Sequence, residues 1–159
     1  MDKVALLAQI RAALEAELAA ITASAADARS AATHEDAKPE NQYDTRGLEA
    51  SYLAGAQAGR AQDLAARIAN LEFIQLKAYG DDDAVGLAAL VEVDDGEQTR
   101  RYFVAPEGGG LELTSPEGPV RVLTPQAPLG GALMGKRVGD VAEVRLKGKV
   151  VELELLSLL

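Results

Sequence analysis

From Asp2 to about Ala32 the chain runs without a glycine or a proline, and its apolar residues keep one rhythm. Leu7, Leu14, Leu18, Ile21, Ala25, Ala28 and Ala32 fall at alternating steps of three and four, with polar Arg11 at the one missing position. That spacing draws a seam along one side of a helix, about 45 Å long at ~1.5 Å per residue. A seam this long is buried by a second helix laid against it.

The chain supplies its own partner. From Leu48 to about Leu76 a second stripe runs through Leu53, Ala56, Leu64, Ile68 and Leu71, with Arg60 at its polar position. Gly55 and Gly59 weaken this helix by about 1 kcal/mol each relative to alanine. Close packing against the alanines of the first helix offsets that loss, because small residues let two backbones approach. Two helices of similar length joined by a short polar segment make an antiparallel hairpin. The hairpin is expected over residues 1–78, with its acidic tip near 34–44, "HEDAKPENQYD".

At "AYGDDDAVG" the pattern changes. Gly80 and Asp81 to Asp83 end the helix and read as a linker. Short β-branched or alternating runs follow at 87–93, 100–104, 111–114, 120–123, 141–146 and 150–155, separated by "DDG", "PEGGG", "SPEG" and "KGK". They predict a small twisted antiparallel sheet, with a one- or two-turn helix in "PLGGALMGKRVGD" covering one face. Residues 84–159 thus form a compact globular domain, and the fold class is α+β.

A net charge of −9 argues against independent DNA binding, since phosphate contacts need clustered lysine and arginine. The same charge favours encounter with a basic patch or channel on another protein. The chain has no cysteine, which excludes disulfides and thiolate metal sites. "MDKVALLAQIRAALEAEL" carries charges throughout and matches neither a signal peptide nor a membrane span. The expectation is a soluble, cytoplasmic protein. A hairpin that pairs its own helices has little need of a second copy, so a monomer is expected.

No self-contained active site is legible. The one histidine, His34, lies in the acidic patch, where it reads as a solvated tip residue rather than a ligand, since a metal site needs further ligands at suitable spacing. The glycine clusters near Gly108 and Gly130 match neither a phosphate loop nor a dinucleotide fingerprint and read as turns. The carboxylates Glu35, Asp36, Glu40 and Asp44 remain, and two readings stay open. Acids near a helix start complement its dipole, and proline, asparagine and aspartate suit a turn. Alternatively, carboxylates bind hard cations such as magnesium, and a tip could complete a site whose other ligands belong to a partner.

Two stretches resemble the bacterial Gre transcript-cleavage factor family, the GreA/GreB-like elongation factors, and the likeness extends over nearly the whole chain. "APLGGALMGKRVGDVAEV" is similar to the family pattern Ser-Pro-x-Ala/Gly-Arg-Ala-Leu-Ile/Leu-Gly-Lys-x-x-Gly-Asp. Pro128, Ala132, Leu133, Gly135, Lys136, Gly139 and Asp140 fall in register; Ala127 stands where serine is usual, and Gly131 where arginine is usual. "DAKPENQY" resembles the family's tip, Asp-x-x-Glu-Asn-x-Glu-Tyr, with Asp36 and Tyr43 at the family separation. Glu40 sits one place late, and Pro39 occupies the second acid's place in an ungapped register.

The resemblance implies an antiparallel coiled coil followed by an FKBP-like domain. It also implies a factor that binds RNA polymerase, inserts its coiled coil into the secondary channel and stimulates cleavage of backtracked transcripts. On this reading Asp36 and Glu40 help hold a second magnesium ion, shared with the polymerase active site, in a two-metal mechanism. The loop Gln126-Ala127-Pro128 would grip the polymerase rim. The chain would be no enzyme itself and would meet nascent RNA only within the complex.

Three alternatives stand beside it. A regulator or inhibitor could occupy the channel without cleavage. A prolyl isomerase would need an aromatic pocket, for which only Tyr102 and Phe103 are available after residue 80. A bare coiled-coil adaptor would make no use of Asp36.

Overall fold

In a computed structural model of the chain, residues 1–34, 45–80, 82–146 and 148–159 are described. The elements run α1 (Lys3–Thr33), α2 (Arg46–Asn70), a 3-10 turn (Leu71–Phe73), β1 (Leu90–Asp94), β2 (Thr99–Val104), β3 (Glu112–Leu113), β4 (Val120–Leu123), α3 (Pro128–Leu133), β5 (Val141–Leu146) and β6 (Lys149–Leu158). The α+β class is as expected. Two compact units divide the chain: Met1–Arg11 with Asn70–Leu159, and Ala12–Ala69.

The helical unit is the antiparallel hairpin. On α1 the expected seam holds, with Leu14 and Ala28 buried and Leu18, Ile21, Ala25 and Ala32 half-buried. On α2 the later turns also follow expectation through Leu64 and Ile68. The earlier turns do not. Leu53 is 53% exposed and Ala56 is also exposed, whereas Ala54 is buried, with Ala50, Gln57 and Ala61 half-buried beside it. The physical reason is size. The buried residues of these turns are alanines, Ala28 and Ala54, which leave a gap suited to a methyl group rather than an isobutyl one. Gln57 Nε2 donates to Ser24 Oγ across the seam at 3.4 Å. Gly55 and Gly59 do not provide the close approach expected of them, since nothing lies within 4 Å of a Cβ placed at either.

The second helix also ends earlier than its pattern predicts. After Asn70 the backbone tightens to the 3-10 turn and then extends, with Ile74 at φ −68°, ψ 120°. Leu71 remains fully buried. Beyond it the chain is held by tertiary bonds that a continuing helix would forfeit. Lys3 Nζ donates to the Lys77 carbonyl at 2.6 Å, and the Tyr79 hydroxyl to the Leu87 carbonyl at 2.6 Å.

Among the described residues six strands form one sheet in the order β3-β4-β2-β1-β6-β5. All its pairs are antiparallel except β2 with β4, which run parallel with Val104 beside Leu123. Strand β1 starts three residues later than its apolar run because Ala88 adopts φ +61° within a turn closed by Ala89 N–H to the Gly86 carbonyl. Side chains alternate between two faces. Val91, Val93, Tyr102, Val104, Leu123, Val144, Leu153 and Leu155 pack in one cluster with Leu133 of α3. Leu90, Phe103, Leu113 and Val122 alternate with these and are also buried. The first turns of α1 dock beside β3 and its flanking loops. Gln9 exchanges two hydrogen bonds with the Thr114 backbone at 2.9 Å each, and a Cβ at Gly108 would stand 2.7 Å from Ile10 Cγ2. Leu6 and Ile10 are fully buried.

Candidate functional site

The acids singled out by sequence, Asp36 and Glu40 together with Glu35 and Asp44, lie outside the described residues. What the structure describes is the two helix ends between which they are strung. Helix α1 closes with Thr33 Oγ1 donating to the Arg29 and Ser30 carbonyls. Helix α2 opens at Thr45, whose carbonyl accepts from Glu49 N–H at 2.9 Å and whose hydroxyl donates to Glu49 Oε1 at 3.0 Å. An acid in the first turn also suits the helix dipole. The ten residues between His34 and Thr45 connect the end of α1 to the start of α2.

Among the described residues no group of three or more histidines or carboxylates is close enough to hold a metal ion. No helix among them is long and apolar enough to cross a membrane.

Gln126, Ala127 and Pro128 form the entry to α3. Ala127 N–H closes a turn on the Thr124 carbonyl at 3.0 Å, and the Ala127 carbonyl accepts from Gly131 N–H at 2.8 Å. Proline at the first helical position is preorganised for this, since its fixed φ suits the helix and it lacks an N–H that would go unpaired. Ala127 is the N-cap, at φ −69°, ψ 146°, and its methyl group makes no capping bond. Gln126 and Pro128 are exposed.

The remaining matches to the family pattern hold the frame. Gly135 and Gly139 sit at φ +78° and +87°, where a side chain would strain the turn. Asp140 Oδ2 accepts from Arg137 N–H at 2.8 Å, and the Asp140 carbonyl accepts from Leu155 N–H at 2.9 Å. Gly130 lets α3 sit against the preceding loop, since a Cβ there would fall 1.9 Å from the Thr124 carbonyl oxygen. Tyr102 and Phe103, the two aromatics an isomerase pocket would have needed, are buried in the core.

Two surface features went unread in the sequence. One is a groove of about 420 Å³ lined by Arg100, Arg101, Arg121, Glu92, Glu112 and Glu117 among others. Its charges offset one another: Arg101 pairs with Glu92 at 3.1 Å and also donates to the Glu117 carbonyl, and Arg100 pairs with Asp95 at 2.9 Å. The adjacent arginines of "TRRYFV" were its only signal. The other is an apolar groove of about 400 Å³ beside Phe73 and Leu87. The helical pattern expected to about Leu76 includes Phe73, which the structure places on the 3-10 turn instead.

Comparison with known proteins follows the same lines. The family described as "Transcription elongation factor, GreA/GreB, C-term" matches residues 81–159. The chain is 34% identical over 115 residues to "Transcription inhibitor protein Gfh1" of Thermus thermophilus, covering 67% of each chain. It is likewise 34% identical to the Thermus aquaticus protein of that name, of which it spans 66%. It is 28% identical to "Transcription elongation factor GreA" of Psychrobacter arcticus across all of this chain and 99% of that protein. The pattern from Pro128 to Asp140, the sheet domain it frames and the helical hairpin before it converge with these likenesses: the chain belongs to the GreA/GreB family of transcription elongation factors.

Proposed function

We propose that the chain binds RNA polymerase, that its helical hairpin enters the secondary channel, and that Asp36 and Glu40 there stimulate cleavage of backtracked transcripts. The observation that carries this reading is the alignment with GreA from end to end, with the acids in the segment that joins α1 to α2. Gln126 and Pro128, exposed at the start of α3, grip the rim of the channel. RNA is met only inside the complex.

Two carboxylates cannot complete the octahedral oxygen shell that magnesium demands. The remaining ligands come from the polymerase, so the chain has no hydrolytic activity alone. Asp36 and Glu40 would supply oxygen ligands to the shared magnesium, which when bound would supply an activated water and charge stabilisation at the scissile phosphate.

A second reading is favoured by two specific observations. The relatives at 34% identity are named transcription inhibitors, and Pro39 stands in the ungapped place of the second acid. On that reading the hairpin occupies the channel without promoting cleavage.

A cleavage assay on a stalled, backtracked complex decides between them. Stimulation by the native chain, lost by about tenfold or more in Asp36→Ala and Glu40→Ala while binding persists, supports the first reading. Uncut RNA with slowed synthesis supports the second. Cleavage that survives both substitutions removes the acids from the mechanism.

A further inference from the structure

Away from the tip segment and the Gln126–Pro128 loop, one cluster gathers two amines on a single aromatic ring. Lys3 Nζ lies 4.9 Å and Lys77 Nζ 4.6 Å from the centre of the Tyr79 ring. The Lys3 nitrogen also donates to the Lys77 carbonyl at 2.6 Å, which holds the two residues side by side. A groove of about 360 Å³ opens there, lined by Lys3, Lys77 and Tyr79 with Val4, Leu76 and Leu159 among others.

The two amines are not equivalent. Lys77 pairs with the Asp83 carboxylate at 3.1 Å, which offsets its charge. Lys3 has no such partner among the described residues. Its neighbour Asp2 is committed to the first turn of α1, where Oδ1 accepts Val4 N–H at 2.9 Å and Ala5 N–H at 3.2 Å. The Met1 amine, also in the groove lining, is engaged by Glu117 at 3.4 Å. The Tyr79 hydroxyl donates to the Leu87 carbonyl at 2.6 Å, and burial raises its pKa, so the ring brings no phenolate to offset the amines. Burial first, and the Lys77 charge second, hold the Lys3 pKa below the ordinary lysine value. Attraction to the ring acts on both amines alike, whereas the carboxylate stands beside only one.

A lysine becomes a nucleophile when it is desolvated beside a second cation, because the neutral amine carries the attacking lone pair. The bond to the Lys77 carbonyl uses one N–H and leaves that lone pair free. We infer that Lys3 is a site of covalent acylation, and that its acyl donor is a small acyl phosphate entering this groove. The Lys77 ammonium in the same lining attracts the phosphate. In the step itself the Lys3 lone pair attacks the acyl carbon. The C–N bond forms, and the C–O bond to phosphate breaks with its electron pair. Inorganic phosphate leaves, and the proton displaced from nitrogen passes to it or to water. The product is a neutral amide that keeps one N–H for the Lys77 carbonyl and no longer repels the Lys77 amine. Nothing in this depends on polymerase binding.

The test is acetylation of the full-length chain by acetyl phosphate, with the rate at each lysine followed by peptide mass mapping. At pH 7 Lys3 should react about threefold or more faster than exposed Lys149. Lys77→Met, a change at an exposed position, should slow Lys3 by about twofold or more at a nearly unchanged melting temperature. Lys77→Gln provides the same readout should that variant unfold. Above about pH 11, where lysines are mostly neutral, the advantage of Lys3 should disappear. An uncharged acetyl ester should prefer Lys3 less than acetyl phosphate does. Equal rates at Lys3 and Lys149 at pH 7 overturn the site. A Lys3 rate that the Lys77 variants leave unchanged, or an advantage that persists at high pH, overturns its activation by charge. An equal preference with the uncharged ester overturns the acyl phosphate as donor.

Discussion

Ala127 occupies an N-cap with the backbone angles of a capped helix but without a side-chain oxygen to use them. Ala127→Ser should therefore stabilise the domain by about 0.5–1 kcal/mol, read as a raised melting temperature. Gly130 is the opposite case. Gly130→Ala drives a methyl group into the Thr124 carbonyl and should cost about 1–3 kcal/mol, lowering the denaturant midpoint and disturbing the adjacent binding loop. Asp83 links stability to pH. Its carboxylate accepts Gly80 N–H at 2.9 Å and pairs with Lys77 at 3.1 Å, which holds its pKa below the ordinary value. A lowered folded pKa means that the stabilisation is complete above the unfolded value and disappears as pH falls through the folded one. Asp83→Asn should melt below the native chain at pH 7, and the two should converge as pH falls through the folded-state pKa of Asp83. None of these residue-scale roles was legible beforehand. A cap, a close approach and a hydrogen bond each depend on where another part of the chain comes to rest.

The helices were read well at the level of existence and less well at the level of face. On α1 the stripe from Leu14 to Ala32 is the seam itself, because a long uninterrupted 3-4 pattern admits few alternatives. On α2 the leucine pattern predicts burial of Leu53, whereas the early turns bury alanine and expose Leu53. Hydrophobicity ranks side chains by transfer free energy, but a tight seam selects them by volume. Ala28→Leu or Ala54→Leu should accordingly destabilise the hairpin by about 1–3 kcal/mol, measured by helix loss in circular dichroism on heating. Gly55→Ala and Gly59→Ala should each stabilise it by about 1 kcal/mol, since open space surrounds both positions. The strands were legible because turn residues bracket them. The late start of β1 was not, since it depends on the Ala88 turn and its bond to Val104.

At the scale of the molecule the sheet domain draws on distant sequence. Leu6, Ile10 and Leu71 are almost fully buried within the unit that holds residues 70–159. A fragment of residues 84–159 alone would expose the surface they cover, and it should melt well below the full chain in calorimetry. The periodic run to Ala32, the short bracketed strands and the framework from Pro128 to Asp140 were determined by sequence alone, because each depends on contacts between near neighbours or on turn geometry. Tertiary structure alone decided the parallel β2–β4 pairing, the docking of the first turns of α1 and the exposure of Phe73 and Leu87. Each of these joins or separates segments far apart in the chain, and local preference carries no information about which distant surface will arrive.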